Sequence, residues 1–240
     1  MQRSLDSLPG FRRRFRIMPT ARSVRSEVED DYHCMGVAVH HDGRIATAIE
    51  PIMIRAPWTT CPGAVEQLKQ SFTGVALKEF VQCGEKSANC THLYDLALLA
   101  AAHAGDREPL VYDILVSDPI DGKRRAELRR NGATVLRWVE ASFRIVEPPE
   151  LAGLSLHKMR PWIDSLDAVQ QEAARLLRWG NILANGRTIP MEKQSDARRL
   201  PVGSCYTFQP QRMIEAKRIG TIRDFSDGTA QPLEKHEAAL

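Results

Sequence analysis

The chain has no run of about 18 apolar residues, the length a helix needs to cross a bilayer, so it offers no membrane span. It has no GxGxxG, Walker A, HExxH, GxSxG or CxxC pattern. Nucleotide, zinc-protease and hydrolase-elbow readings therefore lack their sequence grounds. Charge of one sign is scarce too. Lys and Arg total 33 and Asp and Glu total 30, a net +3 that is too small to argue for nucleic acid. The N-terminus carries arginines but no apolar h-region, so no secretory signal is expected. Five cysteines (Cys34, Cys61, Cys83, Cys90, Cys205) without an export signal are expected to be reduced thiols in the cytoplasm. What is present suffices for a sizeable core: 240 residues, 43% of them hydrophobic.

The pattern reads as α+β, with antiparallel strands and hairpins packed against three to four helices. Residues 1–10 are expected to be a flexible tail, 11–206 a single domain, and 207–240 a partly mobile C-terminal extension. Strands are expected over 12–17, 24–29, 32–40 and 44–54, the last two joined through Asp42-Gly43. Gly36 and Pro51 inside these runs suggest a bulge or an edge position. At Ala56 the period changes. Thr60 or Cys61 can cap a helix that starts at Pro62, carries Val65, Leu68 and Phe72, and stops at Gly74. A short helix over 76–82 follows. The clearest helix runs from Thr91, read as its N-cap, to Gly105. A meander over 109–146, with strands over 110–117, 123–130 and 133–146, turns at Asp121-Gly122 and Asn131-Gly132, and a helix is expected over 166–179.

Three clusters carry chemistry, and an arginine run precedes them. The run Arg12-Arg13-Arg14-Phe15-Arg16 reads as the solvated part of an edge strand, with a phosphate- or acid-binding patch as its alternative. In Asp30-Asp31-Tyr32-His33-Cys34, strand alternation sends Asp31 and His33 to one face, where the carboxylate can fix the tautomer of a general base. A solvated turn with a surface histidine is the plainer reading. In Arg55-Ala56-Pro57-Trp58-Thr59-Thr60-Cys61-Pro62, a cation, an aromatic face and free backbone N–H groups suit a planar ring bearing an anionic or phenolic oxygen. Cys61 at a helix start is either a thiol of lowered pKa or a small buried hydrophobe. In Asn89-Cys90-Thr91-His92-Leu93, the helix macrodipole disfavours a charged His92, leaving a neutral imidazole that accepts a proton, binds a metal, or simply caps. His40, His41, His103, His157 and His236 read as structural.

The segments GFRRRFRI, EDDYHCMGVAVHHDGRI, RAPWTTCPGAVEQLKQSFTGVAL and CTHLYDLALLAAAH together resemble the bacterial family of domain of unknown function 2889 over roughly residues 10–150. Gly203-Ser204-Cys205-Tyr206 extends the likeness. The resemblance implies bacterial catabolism of plant- or lignin-derived aromatics, including phenylcoumaran gamma-formaldehyde lyase-type enzymes. A weaker, topological likeness is to iron–sulfur scaffold proteins of the NifU type. It implies a soft-ligand set of Cys34, Cys61, Cys90 and His92.

Two expectations follow. The first is a cofactor-independent carbon–carbon lyase with no metal, releasing formaldehyde from an aromatic compound. Its catalytic residues are His33, His92 and Asp31, and its substrate-binding residues Arg55, Trp58, Tyr94 and Cys61. Its partners are a small aromatic substrate and further copies of the chain as a homo-oligomer, with no nucleic acid and no membrane. The second is a metal or iron–sulfur carrier built on the four soft ligands.

Overall fold

The computed structural model describes residues 4–190, 193–198 and 201–235. Its strands are β1 (Gly10–Pro19), β2 (Ser23–Asp30), β3 (Cys34–His41), β4 (Ala46–Arg55), β5 (Leu110–Ser117), β6 (Lys123–Arg130), β7 (Ala133–Ala141) and β8 (Arg144–Glu147). They form one antiparallel sheet in the order β4-β3-β2-β1-β5-β6-β7-β8. The helices are α1 (Ala64–Phe72), α2 (Thr91–Ala102), α3 (Arg160–Asp164), α4 (Ala168–Ala184) and α5 (Pro210–Glu215). The fold is α+β. Among the described residues no helix is long and apolar enough to cross a membrane.

The chain divides into two compact units, where one domain over 11–206 was expected. One comprises 1–14, 111–191 and 224–232, the other 15–110, 192–223 and 233–240. Two of the boundaries, 14/15 and 110/111, fall inside β1 and β5. No Pro-, Gly- or Ser-rich linker marks them, which is why the sequence reads as continuous there. The expected tail over 1–10 differs as well: Leu5 and Leu8 are buried with Leu115. The Arg12 guanidinium donates to the carbonyls of Leu5 and Leu8 at 2.8 and 2.7 Å. Nor does the expected extension over 207–240 stand apart. Its 207–223 segment belongs to the second unit and 224–232 to the first. Positions 1–3 and 236–240, His236 among them, lie outside the described residues.

In the first unit, β5 to β8 form the expected meander. Asp121-Gly122 and Asn131-Gly132 all have positive φ, the backbone a two-residue hairpin needs. Ser142 and Phe143 adopt the same handedness without a glycine, so the expected long strand over 133–146 breaks there into β7 and β8. The Glu140 carboxylate accepts the Phe143 N–H at 2.7 Å and holds that turn. Helix α4 is capped by Asp167, whose side chain accepts the Gln170 N–H. Buried Asn181 on this helix accepts from Trp138 Nε1 at 2.7 Å and donates to Glu140 at 3.3 Å.

In the second unit, β2, β3 and β4 pair in sequence order and α2 lies against β2 and β3. The Ser26 hydroxyl donates to the Leu96 carbonyl at 2.6 Å. Pro51 sits on the edge strand β4, where a missing N–H costs no ladder bond. The bulges fall at Cys34/Met35 and His40/His41 rather than at Gly36. The helix expected from Pro62 opens with a 3₁₀ turn over Cys61–Gly63, and α1 starts at Ala64. The helix expected over 76–82 is a 3₁₀ turn, Leu77–Glu79. Helix α2 has Cys90, not Thr91, at its N-cap.

Candidate functional site

The site grows from the turn between β2 and β3. Residues Asp30 to His33 form that turn, so strand alternation does not apply to them; β3 begins only at Cys34. The Asp30 N–H donates to the His33 carbonyl at 2.9 Å. The Asp30 Oδ1 atom accepts the N–H groups of Tyr32 and His33, each at 2.8 Å. An Asp at the first turn position commonly makes this closure. It brings the same oxygen to 3.0 Å from His33 Nδ1. The carboxylate that orients His33 is therefore Asp30, correcting the expected Asp31. With Nδ1–H donated to Asp30, Nε2 carries the acceptor lone pair.

Helix α2 supplies the second imidazole. His92, in its first turn, stacks on His33 with ring centroids 3.9 Å apart and planes at 29°. Asp30, His33 and His92 are all buried. A donor atom from each lies within 4.8 Å of the others, the one such His/Cys/Asp/Glu group among the described residues. Cys34, Cys61 and Cys90 are not part of it. Stacking constrains what the group can hold. Imidazole lone pairs lie in the ring plane, so two nearly parallel rings aim them side by side. An ion about 2.1 Å from a nitrogen of each ring would require one ring to turn. Two imidazolium charges at this separation would repel by about 4 kcal/mol in a medium of intermediate dielectric. The stack suits one added proton.

Arg55 does not reach out as a substrate arm. Its guanidinium donates to the carbonyls of Asp30 and Asp31 at 2.6 and 2.7 Å, to that of His33 at 3.3 Å, and to Glu29 at 3.1 Å. It holds the turn that carries His33. Glu29, buried, also accepts from Arg223 at 2.8 Å and from the Leu233 N–H at 2.7 Å. The Arg223 N–H closes on the Asp31 carbonyl at 2.9 Å. Glu29 and Arg223 escaped the sequence reading. Nothing in the irregular text around Arg223 marks it, whereas Asp30 followed by His33 three positions later was a readable turn signal.

The remaining candidates serve packing. Trp58 is buried against Phe208 at 6.1 Å with the Arg218 guanidinium 5.8 Å from its ring. Tyr94 packs on Phe72 at 5.1 Å and donates its hydroxyl to the Cys83 carbonyl at 2.8 Å. Cys61 lies 3.3 Å from the Thr207 hydroxyl. Burial pushes its thiol up to about 11 and that of Cys90 up to about 12, against the lowered value a helix start suggested. Cys34, opposite Arg55 in the β3–β4 ladder, is likewise pushed up by burial to about 12. His40, His41, His103 and His157 have local partners: Glu50, the Gly43 N–H, Asp106 and the Phe143 ring. No family model and no curated protein matches this chain, so the resemblance rests on the quoted segments alone.

Proposed function

We propose that Asp30, His33 and His92 form the general acid/base centre of an enzyme acting on a small organic molecule. The observation that carries this reading is the joint geometry of the Asp30–His33 contact at 3.0 Å and the His33–His92 stack at 3.9 Å. One imidazole with a fixed tautomer accepts a proton while its neighbour donates one, the pairing that a bond cleavage with proton return requires. The concrete reaction is a carbon–carbon lyase step on a plant-derived aromatic compound. The neutral imidazole takes the proton of a primary hydroxyl, the C–C bond breaks, and formaldehyde leaves. The electron pair left on the aromatic fragment is quenched by the proton of the second imidazole. Atoms and charge balance without an oxidant. The setting is the bacterial cytoplasm, which the five free thiols support.

The test is formaldehyde release from a phenylcoumaran-type alcohol by the parent, His33→Gln and His92→Gln. Each substitution is expected to lower turnover by about 10²–10⁴ with the fold intact, the range for a lost general acid or base. Full activity of both variants would sink the assignment. A second reading, a metal carrier, is favoured by the convergence of Asp30, His33 and His92 and needs no thiolate. Stoichiometric zinc or iron in protein purified without oxygen, lost from either variant, would establish it in place of the lyase.

A further inference from the structure

The edge strands of the sheet are β4 and β8, and the arginine run expected on an edge lies in the middle, on β1, with Arg12 and Arg13 buried. At the β8 end the first unit covers only part of its edge. Strand β8 is four residues long and pairs with β7 from Val139 to Ala141. The returning chain closes its outer side: the Ile145 N–H donates to the Leu154 carbonyl at 2.9 Å, and the Gly153 N–H to the Ile145 carbonyl at 2.8 Å. Ahead of Val139, β7 has no strand on that side among the described residues, so 133–138 form an uncovered edge. Beside it lies a groove of about 600 Å³, lined by Val135 and Leu136 on the strand and by Pro148, Leu151 and Trp162 beyond β8. Two charged side chains, Arg137 and Glu150, complete the lining, and both are exposed. We propose that this groove is the contact through which two copies of the chain associate about a two-fold axis.

Shape and charge both select a second copy. The β6–β7 ladder skips Val135, a bulge that discourages a further strand from extending the sheet. It also leaves Val135 48% exposed, an apolar knob beside an apolar groove. The partner that fits therefore meets side chains instead of lengthening the ladder, which disfavours an extended peptide. Neither Arg137 nor Glu150 makes an ion pair with a described residue. Glu127 lies opposite Arg137 in the ladder, but it is bonded to Arg129 Nε at 2.6 Å and to the Thr134 hydroxyl at 3.0 Å. The lining thus carries one unmatched charge of each sign and no preference for an acidic or a basic partner. A two-fold axis answers both charges at once, because every contact across it is reciprocal. Arg137 of each copy meets the partner's Glu150. Val135 of each copy enters the opposite groove against the partner's Trp162, a side chain of the type that anchors interfaces.

Sedimentation velocity of the full chain over a dilution series reads the copy number. Two copies, or a larger even number, are expected. Arg137→Glu and Glu150→Arg, each alone, set like charges against one another across both contacts and should weaken association at least tenfold. Their melting temperatures should stay at the parent's, since both positions are exposed. An equimolar mixture of the two variants should restore association, because in a mixed pair both contacts again join opposite charges. Val135→Asp removes the apolar knob and should also weaken association at least tenfold; it decides where a charge variant fails to fold. A monomeric parent would overturn the proposal, and so would an odd number of copies. Association that these variants leave unchanged would do the same, as would losses in the single variants that mixing does not restore.

Discussion

Asp30 and His33 are joined twice by a single oxygen: Asp30 Oδ1 accepts the His33 backbone N–H at 2.8 Å and faces the His33 ring Nδ1 at 3.0 Å. The turn that places the imidazole is thus closed by the group that fixes its tautomer. Backbone and side chain are set together, and the ring arrives at His92 with Nε2 as its acceptor.

Asp30→Asn separates the two roles of that oxygen. An amide oxygen still accepts the N–H groups of Tyr32 and His33, so the turn persists, but it offers no charge to a protonated His33. Formaldehyde release is expected to fall by about 10². The urea unfolding midpoint should stay close to the parent's. Asp30→Ala removes the acceptor altogether and should cost about 1–3 kcal/mol through the orphaned buried amides. Unchanged turnover in Asp30→Asn would show that the carboxylate only shapes the turn.

Arg55→Gln probes the clamp on the same turn. It withdraws the guanidinium from the carbonyls of Asp30, Asp31 and His33, from a longer contact to that of Thr221 at 3.4 Å, and from the buried carboxylate of Glu29. Glu29 retains Arg223 and the Leu233 N–H, so the loss should sit near the lower end for a broken buried pair, about 3 kcal/mol by urea unfolding. Arg55→Lys should recover little of it, because an ammonium lacks the planar fork that spans several carbonyls. Recovery to the parent's stability would mean that charge alone, not the fork, holds the turn.

Local signals carried far through this chain. The two Xaa-Gly turns of the β5–β7 meander need positive φ and have it, and β5 and β6 coincide with their expected bounds. The pairing of His33 with His92 was visible only as two histidines at element ends; their stacking depends on how α2 lies against β2 and β3. Alternation points to Asp31, but Asp31 lies three residues ahead of β3, in the turn where alternation does not hold. Arg55 reads as an exposed cation by type, and only the neighbouring carbonyls, invisible in sequence, turn it inward. Two of the boundaries between the units fall within β1 and at the start of β5, where composition does not change.

Gly10→Ala tests the close approach between β1 and β5. A Cβ at Gly10 would lie 2.1 Å from the Val116 carbonyl oxygen and 2.7 Å from Ser117 Cα, both backbone atoms that cannot swing aside. Its φ is not in the left-handed region, so the cost is crowding rather than backbone strain. A destabilisation of about 1–3 kcal/mol or more is expected. Gly105→Ala, with nothing within 4 Å of the added carbon, is the comparison and should change the unfolding midpoint little. Equal effects of the two substitutions would refute the contact.

The buried thiols give the fold a pH dependence of known sign. In the unfolded chain a thiol ionises near 9; in the folded protein Cys61 waits until about 11, and Cys34 and Cys90 until about 12, because burial opposes the thiolate. Below pH 9 both states keep these protons and the full stability is present. Above pH 9 the unfolded state releases them first, so stability should fall progressively up to pH 11–12 and this contribution should then level off. Unfolding midpoints measured from pH 8 to pH 12 should show that decline. Replacing Cys34, Cys61 and Cys90 together by Ala should flatten it, at a cost of about 1 kcal/mol or more per site from the cavities left behind. Iodoacetamide at pH 8 should modify these three positions far more slowly in the native protein than in urea. Rapid native labelling of Cys61 would mean that its thiol is activated, and would return it to the set of reactive groups.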